Sequence, residues 1–292
     1  MSDDTEEIRA TATRLVELLQ QFDGVAVAFS GGVDSAVVAM AAHQALRERA
    51  VAVTAVSPSL ASIEFRTAQD VARQIGIRLV TLTTGEFQRP EYRANQGDRC
   101  FYCKDTLYAL AEQKLADLGV SGLVNGANTD DLGDHRPGMQ AATQHGVRSP
   151  LIECGINKAT VRQLAHYWNL SVADKPASPC LSSRIAYGVE VTEARVRMVE
   201  TAEAVVRRLA GLQEFRVRLE AGELARIEVP LPDLSRLLTS DVREPLAAEL
   251  RSLGFRAVTL DLEGFRSGNL NQALVPLRLS ADFSQPPVVH GQ

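Results

Sequence analysis

Apolar positions along the chain switch between two spacings, and the switching predicts a fold class. Ile8, Leu15, Val16, Leu18 and Leu19 recur at helical spacing and predict a helix over 8–22. Val25 to Phe29 (V-A-V-A-F) is an unbroken small and apolar run, the pattern of a strand buried on both faces of a parallel sheet. Ser30-Gly31-Gly32 then lets the backbone turn tightly, and a helix follows with Asp34 or Ser35 as its cap. Ala36, Val37, Val38, Met40, Ala41, Ala42, Ala45 and Leu46 leave that helix almost no polar face. A second buried strand at 51–56, a helix at 61–75 and a third strand at 77–82 continue the pattern. Alternation of this kind predicts a parallel sheet covered by helices, with ligands at the carboxyl ends of its strands.

Further on, Asp98 is placed to cap a helix running to about Leu118, and Ser121 to Ala127 reads as a fourth strand. The stretch 132–149, rich in Gly, His, Arg and Gln, reads as a loop over the site, 150–154 as a short strand, and Asn157 as the cap of a helix through Trp168. From about Tyr187 the pattern changes: a helix at 193–209, adjacent strands at 214–220 and 224–229, a helix near 244–253 and a strand at 257–262. That order predicts a separate, smaller α+β module. The implied division is a nucleotide-type domain over 1–186, a second domain over 187–279, and a disordered tail over 280–292 that contains Pro286-Pro287.

Composition narrows the setting. The 292 residues are 45% hydrophobic and 23% charged, as in a soluble globular protein of about two domains. The first residues, M-S-D-D-T-E-E, are acidic rather than a signal sequence, and no apolar run reaches membrane-spanning length, so a cytoplasmic protein without a membrane partner is expected. A formal charge of −5 and a pI near 5.6 count against a nucleic-acid partner. Four cysteines in such a chain point to catalysis or metal rather than to disulfides.

The candidate chemistry lies at the predicted strand ends. Strand, glycine turn and helix N-terminus at 25–35 form a site where free N–H groups and the helix dipole meet a phosphate. No G-K-[ST] follows the glycines, so this is not a Walker A loop, and the lysine that would reach the terminal phosphates is missing. Ser57, just past the second strand, could border a nucleotide base. Asp34, Asp130 and Asp131 are candidates to hold Mg²⁺ against the phosphates of a bound nucleotide; a polar turn with Asn and Asp as helix caps accounts for one carboxylate more easily than for the pair. Cys100 and Cys103 share one face of a first helical turn, where thiolates are expected to have lowered pKa values, and Lys104 beside them could reach a phosphate or simply be solvated. Cys180 sits among Ser, Pro and Arg on a proline-stiffened loop, unlike a buried structural cysteine. Arg216 and Arg218 alternate with Val217 and Leu219 and so share one polar strand face; such a pair suits a phosphate, although spacing alone describes a solvated face better.

The motifs together carry a resemblance. S-G-G-V-D-S at 30–35 resembles the PP-loop of the ATP pyrophosphatases, which cut ATP between the α and β phosphates. With A-N-T-D-D-L-G-D at 127–134, R-P-G at 136–138, K-P-A-S-P-C-L-S-S-R at 175–184, R-V-R at 216–218, A-R-I-E-V at 225–229 and D-L-E-G-F-R-S-G at 261–268, the chain is similar to the LarE family over about 25–270. Two features depart from the pattern: Cys154 has no counterpart in it and reads as structural, and Ala186 stands where proline is expected.

The resemblance implies an α/β PP-loop ATP pyrophosphatase fold (adenine nucleotide alpha hydrolase-like) with a C-terminal α+β domain for substrate binding and oligomerisation. It implies a homo-oligomer that uses ATP and Mg²⁺ to adenylylate a carboxylate of a pyridinium dicarboxylate mononucleotide and turn it into a thiocarboxylate, as a step in making a nickel-pincer nucleotide. By motif, Ser30, Gly31, Gly32, Asp34 and Ser35 would bind ATP, Arg216 and Arg218 the substrate phosphate, and Cys180 would handle sulfur. Cys100, Cys103 and Cys180 match the form of the family in which a [4Fe-4S] cluster passes on sulfide from a donor. In the other form Cys180 gives up its own sulfur. Two further classes fit parts of the sequence: a PP-loop tRNA thiolase, and a non-enzymatic zinc or iron–sulfur regulator using all four cysteines.

Overall fold

The computed structural model describes residues 2–133 and 137–266, with the side chains of 2–4 and 133 excepted. The expected tail over 280–292, the last part of the predicted second domain, and parts of the motifs at 127–138 and 261–268 lie outside the described residues.

The first half runs α1 (Ser2–Leu19), β1 (Val25–Ala28), α2 (Val33–Leu46), β2 (Ala50–Val56), α3 (Ser62–Ile75), β3 (Arg78–Thr83), α4 (Pro90–Ala94), α5 (Arg99–Leu118) and β4 (Gly122–Val124). The strands form one parallel sheet in the order β3-β2-β1-β4, with Val25 level with Ala50 on one side and Gly122 on the other. Every residue of β1 is buried, as its apolar run requires. The chain builds outward from β1 through β2 to β3, then returns to place β4 on the opposite side. The order therefore reverses between β1 and β4, and a crevice opens there at the carboxyl edge. One apolar core contains Leu15, Val27, Val37, Leu164 and their neighbours on one face of the sheet, and another contains Ala26, Val51, Leu107 and Tyr108 on the other.

Two short stretches differ from the sequence reading. Residues 150–153 are a helix, α7 (Pro150–Glu153), not a strand, because Pro150 takes its first position, where a fixed φ is pre-set for helix and no N–H is required. The predicted loop at 132–149 contains α6 (Pro137–Gln144), which buries Ala141 and Ala142 against the core that includes Leu107. Next comes α8 (Lys158–Tyr167), capped by Asn157, whose Oδ1 accepts from the Thr160 N–H at 2.9 Å.

The second half contains α9 (Glu193–Ala210), β5 (Arg216–Glu220), β6 (Leu224–Glu228), α10 (Leu234–Leu238), α11 (Ser240–Ser252) and β7 (Ala257–Leu260). Here β5 and β6 are antiparallel, and β7 adds in parallel beside β6. Val217, Leu219, Ala225 and Ile227 face a core shared with α9 and α11, and Tyr92, Leu181 and Ile185 from the first half pack into it as well. Ile185 makes a bridge with Leu219, so the segment after Cys180 runs along the outer edge of β5.

The turn after β1 shows why glycine is needed. Gly31 has φ +74°, and a Cβ there would lie 2.6 Å from the Cα of Ala68 on α3. Gly31→Ala should cost about 1–3 kcal/mol from backbone strain alone, with the clash in addition, and lower the melting temperature by several degrees. An unchanged melting temperature would contradict this packing.

Candidate active site

The glycine turn after β1 and the turn after β4 meet at the carboxyl edge of the parallel sheet. Gly32, not Asp34 or Ser35, precedes α2, and no side chain caps the helix, which leaves its first-turn N–H groups open to an anion. Ser35 holds the turn instead: its hydroxyl donates to the Gly32 carbonyl at 3.0 Å and accepts from the Ser30 N–H at 3.3 Å. Across the crevice, Gly126 lies so close to the start of α2 that a Cβ would stand 2.8 Å from the Ser35 nitrogen.

Asp34, in the first turn of α2, accepts from Asn128 Nδ2 at 3.1 Å and from Lys158 Nζ at 2.5 Å. Lys158 opens α8, and its main-chain N–H donates to Asp130 Oδ2 at 3.2 Å. Asp131 Oδ2 accepts from the Asn128 N–H. Asp131 thus closes its own turn while Asp130 ties that turn to α8, and no three His, Cys, Asp or Glu side chains converge as a metal site among the described residues. Lys158 is a residue the sequence reading missed: a cation absent from the glycine loop reaches the phosphate site from a helix 124 residues away.

The thiols lie beyond the ends of β2 and β3. Asp98 stands before α5 but makes no capping bond. Arg99 and Asn95 position that helix start: Asn95, at φ 54°, receives the Arg99 guanidinium and donates to the carbonyls of Ala186 and Val189 at 2.8 and 3.0 Å. Cys100 is exposed and Cys103 half-buried. The expected lowering of the thiol pKa does not hold for Cys103, which is pushed up to about 12. Burial is the main cause, followed by Cys180 and Glu86, and these outweigh any help from the helix end. Glu86 is 1% exposed, and its Oε2 has no hydrogen-bond partner among the described residues. Lys104 is half-buried and not shown near the phosphate turn: it stands 5.9 Å from the Tyr108 ring centroid, and its pKa is raised by Tyr108 first, against burial, with the three cysteines adding less. Cys154 ends α7 and packs against the core of α1 and α2, as a structural cysteine does.

Cys180 is exposed, but its main chain is fixed on every side. The next N–H, of Leu181, donates to the Ser59 carbonyl at 2.9 Å, and Ser59 Oγ lies 2.8 Å from Ser57 Oγ, so the cysteine loop rests on the turn after β2. Ser182 Oγ is 2.8 Å from the hydroxyl of buried Tyr92. That hydroxyl is held far above its ordinary pKa by burial, then by Cys180 and Cys103, which places both thiols in its surroundings.

From the other side come the arginines of β5. Arg216 donates to the Ala177 carbonyl at 3.1 Å, and Arg218 to the Ser183 carbonyl at 2.8 Å. The polar face of β5 is therefore covered by the cysteine loop rather than solvated, and Arg218 is 6% exposed. Arg218 pairs with fully buried Glu228 on β6 at 2.9 Å, and its Nε has no partner among the described residues. Arg226 ties Glu220, Glu228 and Asp261 into the same layer. Burial, then Arg184, lowers Arg216 to about 10, so it remains charged at neutral pH in a place where a bound anion would be welcome. Glu228 was legible as the carboxylate of A-R-I-E-V, two residues from Arg226 and hence on the same strand face.

A glycine turn at a topological switch point, with a cysteine loop resting on the neighbouring turn after β2, is the arrangement of a PP-loop ATP-using enzyme. Residues 7–96 match the NAD synthase family. The pyridinium-3,5-bisthiocarboxylic acid mononucleotide synthase of Lactiplantibacillus plantarum is 36% identical over 267 residues, 91% of this chain and 95% of that enzyme. An uncharacterized protein of Synechocystis is 44% identical over 263 residues, covering 89% and 97%. Another, from Methanocaldococcus jannaschii, is 24% identical over 243 residues, covering 83% and 91%. The chain belongs to the LarE family, and it is an ATP-dependent sulfur transferase. No helix among the described residues is long and apolar enough to cross a membrane.

The thiols give a direct check. Cys103 remains protonated at every pH well below about 12, so its reactivity should not rise through the neutral range. Iodoacetamide at about pH 8 should alkylate Cys100 and Cys180 at least about tenfold faster than Cys103, read by peptide mass mapping. Equal labelling of the three would contradict the buried-thiol arrangement.

Proposed function

We propose that this chain converts a carboxylate of a pyridinium dicarboxylate mononucleotide into a thiocarboxylate at the expense of ATP. The observation that carries this reading is the seating of the Cys180 loop between the turn after β2, through Leu181 and Ser59, and the arginines of β5. Nucleotide edge, sulfur and a phosphate-suited cation then face one space.

ATP enters with Mg²⁺ as its substrate complex. The N–H groups at Gly31 to Ser35 receive its phosphates, with Ser30 and Ser35 shaping the turn and Ser57 beside the base. Asp34 carries the metal, with Asp130 and Asp131 near it, while Lys158 supplies the positive charge that the glycine loop lacks. The substrate phosphate lies on Arg216, which Arg218 and its Glu228 pair hold in place. A substrate carboxylate oxygen then attacks the α-phosphorus, and the bond to the bridging oxygen breaks as pyrophosphate leaves. The acyl-adenylate is open to sulfur: a hydrosulfide-level nucleophile adds to the acyl carbon, AMP departs with the electron pair of the C–O bond, and the S–H proton passes to solvent.

For the sulfur, Cys100, Cys103 and Cys180 would hold a [4Fe-4S] cluster. The donor set suits it in chemistry, since thiolates are the ligands of such clusters and Cys103 interacts with both Cys180 and Cys100; three cysteines would leave a cubane one protein ligand short. Bound there, the cluster would present sulfide from an external donor. One observation favours the second reading, sacrifice of the Cys180 sulfur: the thiols do not converge on one point, and Cys180 is exposed on its loop. The partners on this account are the pyridinium mononucleotide and a sulfide source. The chain would work in the cytoplasm as a homo-oligomer, with 187–279 as the substrate and assembly domain.

AMP and pyrophosphate should form only when the pyridinium mononucleotide is present. Arg216→Ala should raise the KM for that mononucleotide by about tenfold or more and leave the KM for ATP within about twofold. ADP as product, or equal weakening of both substrates, would overturn the assignment.

A further inference from the structure

The peptide that carries Cys180 is fastened by one buried guanidinium that no sequence motif assigned to chemistry. Arg184 Nη1 donates to the Pro179 carbonyl at 2.5 Å, to the Cys180 carbonyl at 3.2 Å and to Ser183 Oγ at 3.1 Å. Its Nε donates to Glu203 Oε1 on α9 at 3.0 Å. Glu203 Oε1 also accepts from the Val217 N–H of β5 at 3.3 Å, so the pair is tied to the second sheet. Arg184 is 4% exposed and Glu203 9%, whereas Cys180 itself is exposed. A buried ion pair is a poor source of stability, because removing two charges from water offsets most of their attraction. Three acceptors clustered on one turn, two of them the carbonyls of residues 179 and 180, give this pair a different use.

We infer that Arg184, held by Glu203, is a positioning residue for Cys180. It fixes the peptide planes on both sides of the cysteine, so that an exposed thiol keeps one direction toward Cys103 and the space in front of the turn after β2. Arg216 and Arg218 hold the ends of the same loop, at Ala177 and Ser183, while Arg184 holds its centre. The inference rests on the assignment of Cys180 to sulfur transfer, but its first readout does not depend on that assignment.

The test uses the full chain with Arg184→Lys, which keeps the charge and loses the fork, and Glu203→Gln, which keeps the shape and loses the charge. Iodoacetamide labelling, resolved by peptide mass, gives the Cys180 to Cys100 rate ratio, with Cys100 as an internal reference in each variant. Substrate-dependent exchange of pyrophosphate into ATP reads adenylylation alone, and thiocarboxylate formation reads the whole reaction. Both variants should change the labelling ratio by about threefold or more, keep exchange within about twofold, and lose about tenfold or more in thiocarboxylate formation, as expected for a displaced reacting group. An unchanged labelling ratio would overturn the inference. So would a parallel fall of exchange and transfer, which would put Arg184 in substrate binding. If Arg184→Lys fails to fold, as its melting curve would show, Glu203→Gln decides. If Cys180→Ala still forms thiocarboxylate, the functional reading fails, while the labelling ratio continues to report on positioning.

Discussion

Strand order reverses beside β1, and a parallel sheet that does this cannot close its carboxyl edge there: α2, after β1, and α6, after β4, pack on opposite faces of the sheet, and a gap remains between them. The gap is lined by the uncapped N–H groups of α2 on one side and by the turn of Asn128 to Asp131 on the other. Two glycines keep it narrow. Gly31 lets the turn lie on α3, and Gly126 lets the end of β4 lie on the first turn of α2. At this edge Lys158 pairs with Asp34, its Nζ 2.5 Å from Oδ2, so a cation from α8 stands beside the first turn of α2.

The second half of the molecule acts on that edge through charge. Antiparallel β5 and β6 bury their apolar residues against α9 and α11, which leaves Arg216, Arg218, Arg226, Glu220 and Glu228 on the opposite face. In most small sheets such a face meets water. Here the Cys180 loop lies over it, so the guanidinium groups find main-chain carbonyls and carboxylates in a partly dry layer, where each bond is stronger and each unpaired donor more costly. Arg216 bears the strain of the arrangement, since burial and two arginine neighbours lower its pKa. The same features that hold the cysteine therefore keep Arg216 and Arg218 in one partly buried layer.

Much of this was legible in the sequence wherever cause and effect lie close along the chain. The apolar run at 25–29, the glycine pair after it and the nearly all-apolar helix at 33–46 identify the central strand, the turn and the covering helix without help from distant residues. The alternation at 215–219 gave the correct face for both arginines. What escaped depended on distant partners. Nothing near residue 34 announces Lys158, and Cys103 looked like an activated thiol because the helix start is local, whereas its pKa is raised by burial first, then by Cys180 and Glu86, which are distant in sequence. Arg216 and Arg218 looked solvated for the same reason, because their cover is a loop more than thirty residues earlier in the chain. Pro150 was misread because an apolar stretch of four residues fits a strand or a helical turn, and only the proline at its first position decides between them.

On the function proposed above, Cys180 would work with Cys100 and Cys103 to pass on sulfur and would not itself be consumed. The most direct test of this supplies isotopically labelled sulfide, ATP and the pyridinium mononucleotide to the anaerobically iron-reconstituted chain, then weighs both the product and the protein. The account predicts many thiocarboxylates per chain, each carrying the label, and a Cys180 of unchanged mass. About one unlabelled thiocarboxylate per chain, with Cys180 lighter by the mass of H₂S, would contradict it.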